Sequence, residues 1–284
     1  MSADAAHSDR NFDLPSTESI FGSTAGMREI REKIAQAMQD DLPVLIEGES
    51  GTGKEVIGRF LHKYSVRGDG PFLKFNCAAT SAHLPDGKMF GYVATGGGSI
   101  GLASGGTLFL DEIHDMELSL QQKLTRTLKS GRYRRIDGGE DLAVNTRFVC
   151  ATSFDLKTGL RNHSFLQELL GCFAHHRLRL LPLRERREDI PRLCEYLLEK
   201  FARDFSRPVP HLSSHVLEAF QQWKWPGNVR ELENWIARIV IFGAEDVIGL
   251  DFSRQMAALE QAPPRYHRAA HTNLDRARRL RRHR

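Results

Sequence analysis

The strongest constraint in this sequence is a glycine-rich segment that runs from Gly48 to Glu55 and reads GESGTGKE. It directly follows the apolar residues 43–46, and a helical pattern begins near Gly53. A strand that ends in such a turn and restarts as a helix leaves backbone N–H groups pointing into one concavity, where they can hold phosphate oxygens. The spacing matches G-x-x-x-x-G-K, in which Lys54 adds a positive charge for the β- and γ-phosphates. The segment therefore predicts a nucleotide-phosphate site that consists of Gly48, Glu49, Ser50, Gly51, Thr52, Gly53, Lys54 and Glu55.

Glu55 departs from the generic pattern, which has a Ser or Thr at this position to offer a hydroxyl to magnesium. The metal must then find its protein ligand elsewhere. Residues 107–112, TLFLDE, predict a hydrophobic strand that ends in two acids. A carboxylate at the carboxyl end of a parallel strand, beside a phosphate turn, lies where the Mg²⁺ of a nucleotide sits. We expect Asp111 to bind the metal, directly or through water, and Glu112 to accept a proton from the attacking water.

Length and composition indicate a globular protein, since 284 residues with 40% hydrophobic residues can bury one large core or two modest ones. No apolar stretch approaches the length of a membrane span, and the polar first residues lack the apolar core of a signal peptide. We expect a cytoplasmic protein with no membrane contact. The four cysteines are far apart in the sequence, which favours reduced buried thiols over a disulfide framework or a zinc site.

The net charge of +4 is unevenly distributed. Residues 264–284 contain eight Arg and one Asp, so this stretch carries +7 and the remainder of the chain carries −3. A basic stretch of this kind could contact nucleic acid or another acidic partner, and a solvated disordered end explains it equally well. It lacks the two-helix apolar pattern of a helix-turn-helix, so sequence-specific recognition of DNA is not expected.

Alternating strand and helix patterns predict an α/β fold with a doubly wound parallel sheet, followed by a small all-α lid. We divide the chain into a disordered segment (1–17), a nucleotide-binding α/β subdomain (18–186), a helical lid (187–252), and a linker with the basic tail (253–284). The glycine-rich residues 91–106 are predicted to form a loop. The predicted strands are 43–46, 71–77, 107–112, 146–152 and 178–180, and the main predicted helices are 25–38, 118–128, 190–201, 214–223 and 228–242.

Five segments, GESGTGKE, FNCAA, GGTLFLDEI, LPLRERREDIP and WPGNVRELEN, follow one another in this order. Together they resemble the AAA+ domain of bacterial enhancer-binding proteins, the activators of sigma-54 RNA polymerase, over roughly residues 18–250. The resemblance implies an AAA+ P-loop NTPase that assembles into rings, usually hexamers, and binds ATP or ADP with Mg²⁺ between subunits. It also implies partners of two kinds, related AAA+ subunits and the sigma factor or RNA polymerase.

The resemblance assigns roles to further residues. Asn76 matches the asparagine that restrains the catalytic glutamate, here Glu112, until nucleotide is sensed. Thr152 matches the first sensor and Arg230 the second, and Glu55 in the phosphate turn is itself typical of the family. Arg230 also makes sense unaided, because a guanidinium on a lid helix can reach the γ-phosphate. A surface ion pair with a neighbour such as Glu233 is the simpler alternative.

Two departures from the family pattern concern function. The loop motif GAFTGA, which pushes on the sigma factor, is missing between Phe90-Gly91 and Gly105-Gly106-Thr107. The two arginines that act as fingers on the neighbour's nucleotide fall on Leu166 and Cys172. Loss of a finger costs about a thousandfold or more in hydrolysis rate. The nearby arginines that could substitute are Arg161, Arg177 and Arg179, and a smaller departure is Ser153 in place of the usual Asn after the first sensor.

Three hypotheses follow. The first is an ATP-binding transcriptional regulator that hydrolyses ATP slowly, is unable to remodel sigma-54 polymerase alone, and acts through nucleotide-dependent assembly or a partner protein. The second is an active AAA+ ATPase with a different target, or a sigma-54 activator, that uses substitute residues. The third is a nucleic-acid-binding module based on the basic tail alone.

Overall fold

The computed structural model describes residues 14–78, 85–94 and 96–242. Most of the predicted disordered segment, the last part of the predicted lid and the whole linker with its basic tail lie outside the described residues. None of the helices in the described ranges is long and apolar enough to cross a membrane.

The central sheet has five parallel strands in the order β2-β3-β6-β1-β7, which confirms the predicted parallel α/β architecture. Its register aligns Asn76 with Asp111 and Glu47 with Thr152, so the polar strand ends lie along one edge. A two-stranded antiparallel hairpin, β4-β5, stands beside the sheet. The strands are β1 (Val44–Glu47), β2 (Phe72–Asn76), β3 (Thr107–Asp111), β4 (Arg132–Arg135), β5 (Gly138–Ala143), β6 (Arg147–Thr152) and β7 (His176–Arg179).

Helices cover both faces of this sheet because its strands are apolar on both sides. Val44 and Ile46 face a core shared with α2 and α3, whereas Leu45, between them, faces a second core with α6, as the two-residue period of a strand requires. The helices of the α/β part are α1 (Thr17–Phe21), α2 (Ala25–Ala37), α3 (Lys54–Lys63), α4 (Pro85–Phe90), α5 (Gly98–Leu102), α6 (Leu118–Ser130), α7 (Leu156–Arg161) and α8 (Gln167–Gly171).

The lid is a separate helical core made by α9 (Ile190–Phe205), α10 (Ser214–Gln222) and α11 (Asn228–Phe242). Trp225 is fully buried among these helices and donates its indole N–H to the carbonyl of Phe220 at 2.7 Å. The indole of Trp223 donates to Glu231 at 2.9 Å, which fixes the start of α11. The predicted helical lid is therefore confirmed.

The prediction of a loop over residues 91–106 is wrong in part, because α5 lies within it. Ile100 of α5 is 1% exposed and belongs to the core beside the sheet, and its carbonyl accepts a hydrogen bond from the Thr146 hydroxyl at 2.8 Å. One buried isoleucine thus anchors a stretch whose glycine content alone favours a loop. Gly97 and Gly101 also lie against the ring hydroxyl of Tyr133, where larger residues would crowd it.

Phe109 provides a test of the core. Its ring is fully buried and fills the space that a Cβ on Gly58 of α3 would occupy, at 2.5 Å. We expect Phe109→Ala to lower the free energy of unfolding by about 3–5 kcal/mol, because it leaves a cavity between β3 and α3. Val66→Ala, at a position that is 82% exposed, is the control and should stay within about 0.5 kcal/mol of the wild type. Equal losses for both variants in urea denaturation would contradict this packing.

Candidate functional site

The predicted phosphate turn connects β1 to α3, which begins at Lys54. Gly51 and Gly53 have φ angles of +79° and +98°, which glycine adopts without strain. The Lys54 side chain is 7% exposed, and its ammonium donates to the carbonyls of Gly48 at 2.9 Å and Glu49 at 3.2 Å. Burial lowers the pKa of Lys54, opposed by the nearby carboxylates of the site. The turn therefore has the geometry of a phosphate cradle with a buried cation at its base.

A second cation, Lys74, lies in the middle of β2 and contacts two of the predicted site residues. Its ammonium is 2.9 Å from Asp111 Oδ2 and 2.6 Å from Glu55 Oε2. Glu55 also accepts hydrogen bonds from Arg59, one turn further along α3, at 2.9 and 3.0 Å. Burial alone would lower the pKa of Lys74, but the two carboxylates outweigh it and raise that pKa. Glu55 thus belongs to an ion-pair network beside the phosphate turn.

Glu112 follows β3 in a left-handed conformation, with φ of +53°. Its Oε1 lies 3.6 Å from the Lys54 ammonium, and its Oε2 accepts hydrogen bonds from the Ser153 backbone N–H at 2.7 Å and the Ser153 hydroxyl at 3.0 Å. His114 Nδ1 is 3.3 Å from the same oxygen. Burial raises the pKa of Glu112, but the donors on His114 and Ser153 and the charge of Lys54 outweigh it and lower the pKa to about 2.

The side-chain hydrogen bond that the described part of the chain shows for Asn76 is not to Glu112, the residue that the resemblance assigns it to restrain. Asn76 Oδ1 accepts the backbone N–H of Ala78 at 3.0 Å and so closes the turn after β2. Within the described ranges, Ser153 and His114 hold the glutamate instead. The physical reason is the chain path, because the Glu112 carboxylate is bonded at the end of β6, whereas Asn76 is on β2, on the far side of β3.

Thr152, the predicted first sensor, is fully buried at the end of β6, next to the phosphate turn. Its carbonyl accepts the Gly48 N–H at 3.2 Å, and its hydroxyl lies 3.0 Å from His114 Nδ1 and accepts the Phe154 N–H at 3.1 Å. Neither the role of His114 nor the contact between Ser153 and Glu112 was predicted from the sequence. Their only sequence signal was position, directly after the paired acids and the sensor threonine.

The first turn of α11 lies on the phosphate turn. A Cβ added to Gly51 would lie 2.2 Å from the Gly227 carbonyl, and the Arg230 N–H donates to the Gly51 carbonyl at 3.3 Å. The side-chain amide of Asn228 donates from Nδ2 to the Ser50 carbonyl at 3.0 Å, and its side-chain oxygen Oδ1 accepts the Leu183 N–H at 2.8 Å. These contacts place Arg230, the predicted second sensor, at the phosphate turn.

Two arginines of the segment before the lid reinforce this contact. Arg184 makes a bidentate ion pair with Glu49 of the phosphate turn, at 2.6 and 2.8 Å. Arg186 is buried and donates to the Thr52 carbonyl at 3.2 Å. Burial lowers the pKa of Arg186 to about 10, partly offset by the charge of Asp189. From Glu49 to Thr52, the phosphate turn is therefore hydrogen-bonded to the lid or to the segment just before it.

An apolar pocket opens beside the phosphate turn, between α1, α3 and the lid. A slot of this kind, next to a phosphate cradle, suits a flat heterocyclic base. Glu233 is at its edge, where burial raises the pKa of the carboxyl against the opposing charges of Lys200 and Arg230. The pocket is lined by Pro15, Ser19, Ile20, Met27, Thr52, Gly53, Val56, Ile57, Leu180, Arg186, Leu193, Tyr196, Leu197, Val229 and Glu233.

Asn228 allows a test of the lid contact, since its backbone has φ of +53°, which glycine can keep. We expect Asn228→Gly to lower the free energy of unfolding by about 1–3 kcal/mol, because the buried Leu183 N–H loses its hydrogen-bond partner. Ser206→Gly, at another positive-φ position on an exposed helix end, is the matched control. If Asn228→Gly lowers the melting temperature no more than Ser206→Gly does, the Asn228 contact does not stabilise the fold.

Comparisons with known proteins agree with this geometry. The family model described as "Sigma-54 interaction domain" matches residues 20–183, and the one described as "AAA+ ATPase lid domain" matches residues 184–268. The solved structure of NtrX from Brucella abortus in complex with ATP is similar, with a TM-score of 0.74 and 28% identity over 84% of this chain and 54% of that chain.

Curated relatives include the DNA-binding transcriptional regulator NtrC of Azospirillum brasilense, which is 39% identical over 88% of this chain and 52% of that protein. The Psp operon transcriptional activator of Escherichia coli is 38% identical over 78% of this chain and 71% of that protein. The chain spans about half the length, or less, of several of the curated relatives that it matches. The sigma-54 interaction domain model matches more than half of the residues, and these two curated relatives are 38–39% identical. The chain therefore belongs to the sigma-54 interaction domain family of AAA+ P-loop proteins.

Proposed function

We propose that this chain binds ATP or ADP with Mg²⁺ between its α/β part and its lid, and that it regulates transcription through nucleotide-dependent assembly. One observation carries the proposal. The turn that presents the phosphate-binding groups also bonds Asn228 and the Arg230 backbone of the lid, so a nucleotide held there contacts both parts. We place the division between them at residues 186 and 187.

Lys54 and the backbone N–H groups of the turn would hold the phosphates. Among the described residues no group of three or more His, Cys, Asp or Glu is arranged to hold a metal. Magnesium often needs none, since it binds through one or two carboxylates together with substrate phosphates and water. Asp111 is such a carboxylate, its side chain being partly exposed at the end of β3. Lys74 also pairs with the Asp111 carboxylate, so Lys74 and the magnesium ion would both neutralise phosphate charge at this edge of the sheet.

We assign the base that activates water to Glu112, and the sensing of the γ-phosphate to Thr152 and Arg230. Glu112 follows β3, Thr152 ends the neighbouring strand β6, and Arg230 comes from the lid, so three different elements would supply these groups around the phosphate turn. Such an arrangement can couple the state of the nucleotide to lid position.

Slow hydrolysis is supported by the two positions that the family pattern gives to arginine fingers. Leu166 is an apolar residue packed against the core, with its N–H bonded to the Gln121 side chain at 2.9 Å. Cys172 donates its thiol to the Glu168 carbonyl at 3.4 Å. Neither side chain carries positive charge for the γ-phosphate of a neighbouring subunit, and the loss of that charge costs about a thousandfold or more in rate.

Arg161, Arg177 and Arg179 are close enough in sequence to replace the missing finger arginines. Arg177 is held in a bidentate ion pair with Glu47, which leaves Arg161 and Arg179, both exposed, as the better candidates. An active ATPase that uses one of them is the alternative to the slow enzyme. The turnover experiment below separates the two.

The proposed inability to remodel sigma-54 polymerase alone is supported by the segment between α4 and β3. The family pattern has a protruding contact loop there, whereas in this chain α5 turns Ile100 into the core. We therefore propose that the chain acts with related AAA+ subunits, as a homo- or hetero-oligomer. Sigma factor, polymerase or DNA would then be reached through the assembly or through the basic tail.

Nucleotide binding and turnover, measured together across a protein concentration series, test this function. We expect the wild type to bind Mg·ATP and to hydrolyse it slowly at every concentration. Lys54→Ala should weaken binding by about tenfold or more, because a charge-assisted hydrogen bond to phosphate is lost. Glu112→Gln should keep binding, and Lys224→Ala, an exposed lid residue, serves as the control.

Rapid turnover that rises with protein concentration and is lost in Glu112→Gln would instead support the active ATPase. The same preparations, given sigma-54 polymerase and no other activator, should form no open complexes. Open complexes formed by this chain alone would overturn the proposed dependence on a partner.

A further inference from the structure

His114 occupies a junction between the paired acids and the first sensor. Its Nδ1 lies 3.3 Å from Glu112 Oε2 and 3.0 Å from the Thr152 hydroxyl, and its Nε2 lies 3.3 Å from Asp115 Oδ1. The ring stacks on Phe154, with centroids 5.0 Å apart and planes at 10°. The imidazole is thus fixed by contacts at both nitrogens and on one face.

This junction affects the availability of Glu112 as a base. Glu112 Oε2 accepts two hydrogen bonds from Ser153 and lies 3.3 Å from His114 Nδ1, and Glu112 Oε1 lies 3.6 Å from the Lys54 ammonium. A carboxylate with this many donors is stabilised in its charged form and is a weak proton acceptor. As long as these contacts persist, the carboxylate is held at the end of β6 and is not free to accept a proton from a water molecule at the phosphate.

We propose that His114 is a positioning residue that, together with Ser153, holds the Glu112 carboxylate against the end of β6 and so restrains ATP hydrolysis. This inference rests on the proposed nucleotide function and names a restraint for it. It gives His114 and Ser153 the task that the family pattern gives to Asn76, whose side chain bonds Ala78 instead.

The same geometry provides a route for release. To accept a proton from water, Glu112 must leave the donors at the end of β6. The Thr152 hydroxyl is 3.0 Å from His114 Nδ1, so the ring nitrogen keeps a partner when the carboxylate departs. Release therefore leaves this ring nitrogen with a hydrogen-bond partner. His114 thus connects the position of the base to the residue assigned to sense the γ-phosphate.

Two amide substitutions separate the two ring nitrogens. His114→Asn places an amide near the position of Nδ1, and His114→Gln places one near Nε2. If the restraint acts through Nδ1, His114→Gln and His114→Ala should raise kcat about fivefold or more, the equivalent of one hydrogen bond. His114→Asn should stay within about twofold of the wild type, and KM for ATP should barely change in any of the three. His175→Gln, at an exposed histidine, is the control.

Unchanged or lower kcat in His114→Gln and His114→Ala, or equal behaviour of the Asn and Gln variants, would overturn the restraint. ATP affinity, measured on the same samples by calorimetry, shows whether the proposed nucleotide function itself has failed. A second readout does not depend on turnover. In ¹⁵N-histidine-labelled protein, the Nδ1 resonance of His114 should shift in Glu112→Gln and not in Glu218→Gln, at an exposed position on α10 of the lid. No shift in Glu112→Gln would rule out the contact.

Discussion

The close approach of the lid to Gly51 is the contact on which the rest of the site depends. Only a residue without a Cβ lets the Gly227 carbonyl lie so near the phosphate turn, and the same turn accepts the Arg230 N–H and the Asn228 amide. Asn228 can start α11 there because it is among the residues that tolerate a positive φ. Phosphate binding and lid position therefore share one short stretch of backbone.

Around this turn, two lysines lie beside carboxylates. Lys54 lies between the turn carbonyls and Glu112, while Lys74 bridges Asp111 and Glu55. An uncompensated ammonium at the depth of Lys54 would be strongly destabilising, so the Glu112 carboxylate contributes to the stability of the fold. A nucleotide phosphate would offer Lys54 a stronger partner than Glu112. The same exchange of partners would then make the glutamate easier to detach from His114 and Ser153.

The sequence predicted the elements in which local pattern and tertiary role agree. Apolar strands before and after GESGTGKE, and helical periodicity around the Trp-Pro-Gly turn, led directly to the parallel sheet and the lid. The hairpin β4-β5 was not predicted, since exposed arginines alternate with only one buried residue, Tyr133, on β4. The helix α5 was missed because its glycines hide a single anchoring isoleucine.

In the site, too, the features that depend on local sequence were predicted, and those that combine distant segments were not. Contiguous motifs located the phosphate turn and the paired acids, because their spacing along the chain is fixed by backbone geometry. The pocket beside the turn was not foreseen, as it combines α1, α3 and the lid, which are distant in sequence. Likewise, whether Asn76 or Ser153 meets Glu112 depends on the path of the chain after β3, to which the left-handed Glu112 contributes.

Because the lid contacts the phosphate turn directly, a nucleotide bound at the turn should change the dynamics of the lid. Hydrogen exchange of the backbone amides at residues 227–231, measured with and without Mg·ATP, tests this coupling. The account predicts slower exchange at the Arg230 amide in the presence of nucleotide, together with slower exchange in the phosphate turn. Protection confined to the turn and α3, with the lid amides unchanged, would contradict it.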